Sequence, residues 1–149
     1  MSRKWRFRAI RTRYWKPGTD YRKAIVDSLA SRVKNGDVLV ISEKAISTAR
    51  GNLVDESKVT PGASARFIAG FWMHCVWGYF LGPLCRLRAR TLEHLRHYPV
   101  LDGARHKQVA LRAAGVLSAL KYGSEGGIDV SNVPFRYACL PLSNAGLEA

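Results

Sequence analysis

From Phe67 to Cys85 (FIAGFWMHCVWGYFLGPLC) the chain runs for nineteen residues without an Asp, Glu, Lys or Arg. As a helix this stretch would be about 28 Å long, so its oily surface must be packed inside a protein, shared between copies or presented to lipid. Gly78-x-x-x-Gly82 permits close helix packing, whereas His74 and the Gly82-Pro83 break interrupt the apolar run. The spacing favours a buried or dimer-interface helix, with a membrane-associated protein through Phe67 to Cys85 as the alternative.

The rest of the chain supplies what such a helix could pack against. Its 149 residues, 47% apolar, suit one ordinary domain with a real core and exclude a disordered or disulfide-stapled class. Cys75, Cys85 and Cys139 are odd in number and lack C-x-x-C spacing, which argues against a disulfide framework and a zinc knuckle. With no apolar run behind the basic start, a cytoplasmic location is expected.

Charge is the second constraint. The formal net charge of +13 attracts nucleotides, anionic small-molecule substrates or nucleic acid. It is concentrated in Ser2 to Lys16 and in Arg86 to Arg112, whereas from Gly123 onward Glu125, Asp129 and Glu148 face Arg136 alone. Chemistry that needs a cation is therefore sought in the last segment.

Alternation of Lys4, Arg6 and Arg8 with Trp5, Phe7 and Ala9 predicts a half-buried strand. Thr19 is placed to cap a helix from Asp20 to about Val33, and the apolar run Val38 to Ile41 reads as an interior strand, giving a β-α-β start and an α/β class. Leu53-Val54 reads as a short strand. Thr60-Pro61 opens the apolar helix and Pro83 another, to about His97, with Leu84, Leu87, Thr91, Leu92 and Leu95 buried. Asp102 caps a helix from Gly103 to Tyr122, whose apolar side carries Val109, Ala113, Val116, Leu117 and Leu120. Val133 to Leu142 reads as a strand entered at an edge, because of Pro134.

The densest polar cluster is Gly123 to Asn132. Its glycines let backbone approach a ligand closely, and Asp129 is a hard carboxylate suited to a divalent ion, with Ser131 and Asn132 beside it. The same residues also suit an Asx-turn before a strand. His94 and His97 lack the acid or Cys that would complete a metal set, and Arg105-His106-Lys107 is a cluster of donors able to hold phosphate or carboxylate. There is no G-x-x-x-x-G-K-[ST], G-x-G-x-x-G or nucleophile elbow. A basic nucleic-acid-binding module, with Trp and Tyr among the N-terminal arginines to stack bases, is an alternative to small-molecule chemistry.

Four segments in order carry a resemblance: Lys16-Pro17-Gly18-Thr19-Asp20, Asn35 to Ser42 (NGDVLVIS), Ala45 to Asn52 (AISTARGN) and Gly127 to Val133 (GIDVSNV). Together they resemble the coenzyme F-420 gamma-glutamyl ligase family. The resemblance implies a cytoplasmic ligase that uses GTP and magnesium or manganese to attach L-glutamate to the carboxylate of a deazaflavin coenzyme precursor or a related acyl substrate. It also implies that Asp129 is a metal-binding residue and Asn132 a nucleotide-contacting one.

Where that family usually has Lys this chain has Thr48, with Lys44 as the candidate substitute, and where it usually has Asn this chain has Glu125. The family's second metal motif is not reached by Ala149, and the segment from about 61 to 122 is a divergent helical middle. The expected architecture is therefore one domain over 1–149, α/β, a mixed sheet with flanking helices. It forms an incomplete half of a gamma-glutamyl-ligase-like fold, completed by self-association as a homo-oligomer.

Overall fold

The structure, a computed structural model, describes residues 5–123, 125–130 and 136–142. Among these, six helices surround a small antiparallel sheet, so the molecule is α/β as expected, with far less sheet than the sequence suggests.

The N-terminal third departs most from expectation. Residues 5–16 form no strand, and Trp5 and Phe7 are exposed. Helix α1 (Tyr21–Leu29) is capped by Asp20, whose carboxylate accepts from the Lys23 amide at 3.0 Å, one residue later than the expected Thr19 cap. It ends four residues before Val33. The run Val38 to Ile41 is not an interior strand: Val38, Leu39 and Val40 are exposed and enter no ladder, so the β-α-β start is not formed. An apolar run becomes an interior strand only when neighbours cover both faces, and none among the described residues does.

Helix α2 (Glu43–Ala49) turns its Ser47, Thr48 and Ala49 inward. Gly51, in the left-handed region at φ +80°, leads into β1 (Leu53–Asp55). This strand pairs antiparallel with β2 (Tyr137–Cys139) in the register Leu53↔Cys139, Val54↔Ala138, Asp55↔Tyr137. On the other side of β2, Asp129 bridges to Cys139 through both backbone hydrogen bonds. The strand expected over Val133 to Leu142 is thus observed at Tyr137–Cys139, residues 131–135 lying outside the described ones.

Helix α3 (Ala63–Leu84) contains the uncharged run. Ile68–Leu81 is wound in the wide π form, in which each amide reaches five residues back. Residues five apart then nearly superimpose, and Trp72 and Trp77 both donate their indole N–H to the Leu120 carbonyl, at 2.9 and 2.8 Å. Ile68, Ala69, Met73 and Gly78 are buried, while Phe67, Phe71, Tyr79 and Phe80 remain exposed. By length and composition α3 could cross a membrane, and 28% of its most apolar window is buried inside the protein. Pro83 closes this helix instead of opening the next, which leaves Leu84 exposed.

The following helix, α4 (Ala89–Arg96), is shorter than expected and buries Leu95. Helix α5 (Val100–Ala114) begins after Pro99, with Asp102 inside its first turn and not at the cap. Gly115, at φ +80°, stops it eight residues short of Tyr122, and a single turn, α6 (Val116–Ala119), leaves Val116 and Leu117 in solvent. Val54, Ile68, Met73, Leu95, Val109, Ala110, Ala119, Ile128, Ala138 and Leu140 form one continuous core that fastens the helices to the sheet.

Candidate functional site

The loop after α6 carries two carboxylates with different surroundings. Gly126 and Gly127 both adopt positive φ, +67° and +84°, a conformation that glycine reaches without strain. Their turn sends Glu125 inward and, after the buried Ile128, delivers Asp129 to the edge of β2.

Asp129 is held at its backbone by Cys139, N to O at 3.1 and 2.9 Å. Its carboxylate forms an ion pair with the Lys44 ammonium, and the two side chains are 42% and 21% exposed. Helix α2 supplies that lysine because its buried side is fixed to β2: the Ser47 hydroxyl donates to the Leu140 carbonyl, and Thr48 lies against the Cys139 sulfur at 3.9 Å. Thr48 is therefore a packing residue, and the cation comes from one helical turn earlier. Asn132 and Ser131 lie outside the described residues. Among the described residues no three His, Cys, Asp or Glu side chains converge as a metal cage.

Glu125 is buried at the centre of a network that the sequence did not reveal. Its Oε1 accepts from the Lys107 ammonium at 2.5 Å, and its Oε2 lies 2.8 Å from Nε2 of His106. On its other side His106 donates Nδ1–H to Glu56 Oε1 at 2.6 Å, and Lys107 also donates to the Lys121 carbonyl at 2.8 Å. Burial disfavours the His106 charge, but the hydrogen bonds to Glu125 and Glu56 outweigh it and lift the imidazole to about 9. Burial likewise opposes ionisation of Glu125, and the same His106 contact, followed by Lys107, holds it below the ordinary carboxylate value. For Lys107 burial prevails over Glu125 and lowers the ammonium from the usual lysine range. Burial, with Glu125 and Glu56 nearby, raises the Tyr98 phenol well above its normal value and keeps it neutral.

A signal for this network did exist: Gly103, Lys107, Ala110 and Ala114 recur at helical spacing, which places a lysine on the small-residue side of α5. Of the donor cluster Arg105-His106-Lys107, the last two meet protein carboxylates inside, and Arg105 pairs with Asp102 at 3.2 Å on the surface. His94 and His97 are exposed, the former edge-on to Tyr98 and the latter at 3.0 Å from the Glu93 carbonyl. Beside the network opens a cleft of about 220 Å³ lined by Glu56, Ser57, Asp102, Arg105 and Arg136.

Comparison with known proteins gives two matches. The family model described as F420-0:Gamma-glutamyl ligase matches residues 9–146. A protein of Methanocaldococcus jannaschii named "Uncharacterized protein MJ1361" is 39% identical over 133 residues, covering 87% of this chain and 45% of the relative. The chain thus spans about half the length of the curated relative it matches. No solved structure matches.

Proposed function

The chain belongs to the F420-0:gamma-glutamyl ligase family, and from that membership and the geometry around Asp129 we propose a ligase-type role in making a gamma-glutamyl amide. In this reading it binds GTP with magnesium or manganese, and glutamate is joined to the carboxylate of a deazaflavin coenzyme precursor or a related acyl substrate.

The observation that supports it best is the pairing of Asp129 with Lys44 at the exposed edge of β2, behind two positive-φ glycines. Magnesium is usually held by one or two carboxylates together with phosphate oxygens and water, so a single carboxylate fits a site shared with a nucleotide. The metal, when bound, would neutralise phosphate charge and polarise the reacting oxygens. The Cys139 backbone fixes where the Asp129 carboxylate stands, and Asn132 would contact the nucleotide. The Lys44 ammonium is close enough to the carboxylate to serve a phosphate beside it, in the role the family usually gives to a lysine at the position of Thr48. The surrounding positive charge would stabilise negative charge that develops on the transferring oxygens.

A thermal melt of the full chain tests this. GTP with magnesium should raise the midpoint, either component alone should do so less, and Asp129→Ala should abolish the difference. No shift with GTP and magnesium together would overturn the reading.

A second reading rests on the aromatic side of α3. Phe67 and Phe71 stack at 5.3 Å in solvent, with Phe80 and Leu84 further along, and arginines follow at 86, 88 and 90. Such a surface suits an anionic membrane interface. Co-sedimentation with anionic vesicles would support it, and unchanged solubility with no vesicle binding would remove it.

A further inference from the structure

We propose that residues 5–16 form an arm that binds single-stranded nucleic acid, with bases stacked on Trp5, Phe7 and Tyr14 and phosphates held by the arginines between them. The segment WRFRAIRTRYWK carries Arg6, Arg8, Arg11, Arg13 and Lys16 and no acid. It forms neither helix nor strand, and Trp5, Phe7 and Tyr14 are exposed, Phe7 to 95%. Among the described residues no carboxylate pairs with any of its five cations. Asp20, the first acid of the chain, instead accepts from the Lys23 amide.

The arm has a fixed root. Trp15 is buried against Tyr21, with ring centroids 6.5 Å apart, and shortly after it the Gly18 amide donates to the Ala49 carbonyl at 2.9 Å. One of the arm's four aromatics thus anchors it, and the other three are left in water. Rings in that position are unfavourable for folding, but their faces are open to a base, because every base has a π-face. An arginine fork meets phosphate oxygens in pairs. A cationic track with aromatic platforms along it is what a single strand requires.

The order of residues separates this surface from one made for lipid, which needs an apolar side segregated from a charged one. At the strand period Trp5 and Phe7 share a side with Arg11 and Arg13, and Tyr14 shares the other with Arg6, Arg8 and Lys16. At the helix period Trp5 falls opposite Phe7 and Tyr14. Neither arrangement makes an apolar face, in contrast to α3, where Phe67 and Phe71 stack together. Pairing with a second copy of the arm would set arginines against arginines. A duplex hides the base faces that the rings need, and the arm is no helix to enter a major groove. It shares no residue with the Asp129–Lys44 site, so this activity stands apart from the ligase reading.

Fluorescence anisotropy on the full chain, in about 0.1 M salt, tests the arm with labelled oligouridylate, oligothymidylate and a mixed-sequence DNA duplex. Either single strand, about 12 nucleotides long, should bind saturably and about tenfold more tightly than a duplex of equal length. Trp5→Ala/Phe7→Ala keeps every charge and should weaken single-strand binding about tenfold or more. Arg6→Gln/Arg8→Gln/Arg11→Gln/Arg13→Gln should flatten the slope of log affinity against log salt by about 3. Arg86→Gln/Arg88→Gln/Arg90→Gln/Arg112→Gln removes equal charge elsewhere and should change affinity about threefold or less. The substituted side chains are exposed, so all three variants should keep the melting midpoint and the response to magnesium and GTP that the parent shows. No saturable single-strand binding, a duplex bound as tightly, undiminished affinity in the aromatic variant, or a control that weakens binding as much as the arm variant overturns the proposal. So does an arm variant that keeps oligonucleotide affinity and loses co-sedimentation with phosphatidylserine vesicles, which would assign the arm to lipid.

Discussion

Two carboxylates four residues apart in one loop, each opposed by a lysine from a helix, have opposite surroundings. Lys107 and Glu125 are 0% and 7% exposed at their side chains, whereas Lys44 and Asp129 are 21% and 42% exposed. In the interior, losing one partner leaves a charge with no water to take it. At the surface, water or another cation replaces the lost partner at little cost. The buried pair is therefore suited to holding the loop, and the exposed pair to exchanging its cation for a ligand.

The sharpest way to break this contrast is to truncate each pair. Lys107→Ala or Glu125→Ala is expected to lower stability by about 3–5 kcal/mol, measured by urea unfolding. Lys107→Met combined with Glu125→Leu should recover part of that loss, because the lysine and the carboxylate leave together, while His106 keeps Glu56 and loses the partner of its Nε2. A single truncation costing under about 1 kcal/mol would mean that the network is open to water and the contrast is false.

Next in size is a pH effect carried by the buried network. The folded pKa of His106, about 9, lies above its ordinary 6.5. Its stabilisation is therefore complete below pH 6.5 and lost as pH rises through 9, a loss of about 3 kcal/mol. Glu125 is lowered, so its contribution is present above the ordinary carboxylate value and lost as pH falls through the folded one. Lys107, lowered by burial, has the reverse sign at the alkaline end. The difference between the parent and His106→Gln thus reads His106 better than the raw curve. Urea midpoints from pH 6 to 9.5 should converge for the two proteins as pH rises, and parallel curves would refute the assignment.

The turn that separates the two carboxylates gives a smaller effect. A Cβ at Gly126 would overlap the Ala114 methyl, and the backbone there is left-handed. Gly126→Ala should cost about 1–3 kcal/mol. Gly123→Ala, where a Cβ meets nothing, is the control and should be nearly neutral.

How much of this was legible in the sequence follows the same division between local and distant causes. The turn glycines, β1 and the apolar helix are local patterns, and they are present. The strands expected at Lys4 to Ala9 and Val38 to Ile41 failed because alternation and apolar runs report what a strand needs, not whether a neighbour exists to pair with it. The helix expected to reach Tyr122 stopped at Ala114 because Gly115 adopts φ +80°, a stop carried by one residue inside an otherwise continuous pattern. The Glu56–His106–Glu125 network joins residues 50 and 19 positions apart in the chain, a distance at which no periodicity operates. Only the misplaced lysine on the inner side of α5 announced it.

The smallest effect on stability carries the largest consequence for function. Asp129→Asn removes one charge from a partly exposed pair while keeping the shape and the backbone bridge to Cys139, so unfolding should change by less than the truncations of the buried pair, by about 1 kcal/mol. The amide is a far poorer ligand for a hard cation than the carboxylate. Any stabilisation by magnesium and GTP scales with the logarithm of ligand concentration over Kd, so the added midpoint shift should fall toward zero in this variant. In Lys107→Met/Glu125→Leu the shift should persist, because the buried pair touches no ligand. If the two variants exchanged these behaviours, the pair in the interior would be the binding site and the one at the sheet edge the structural clamp.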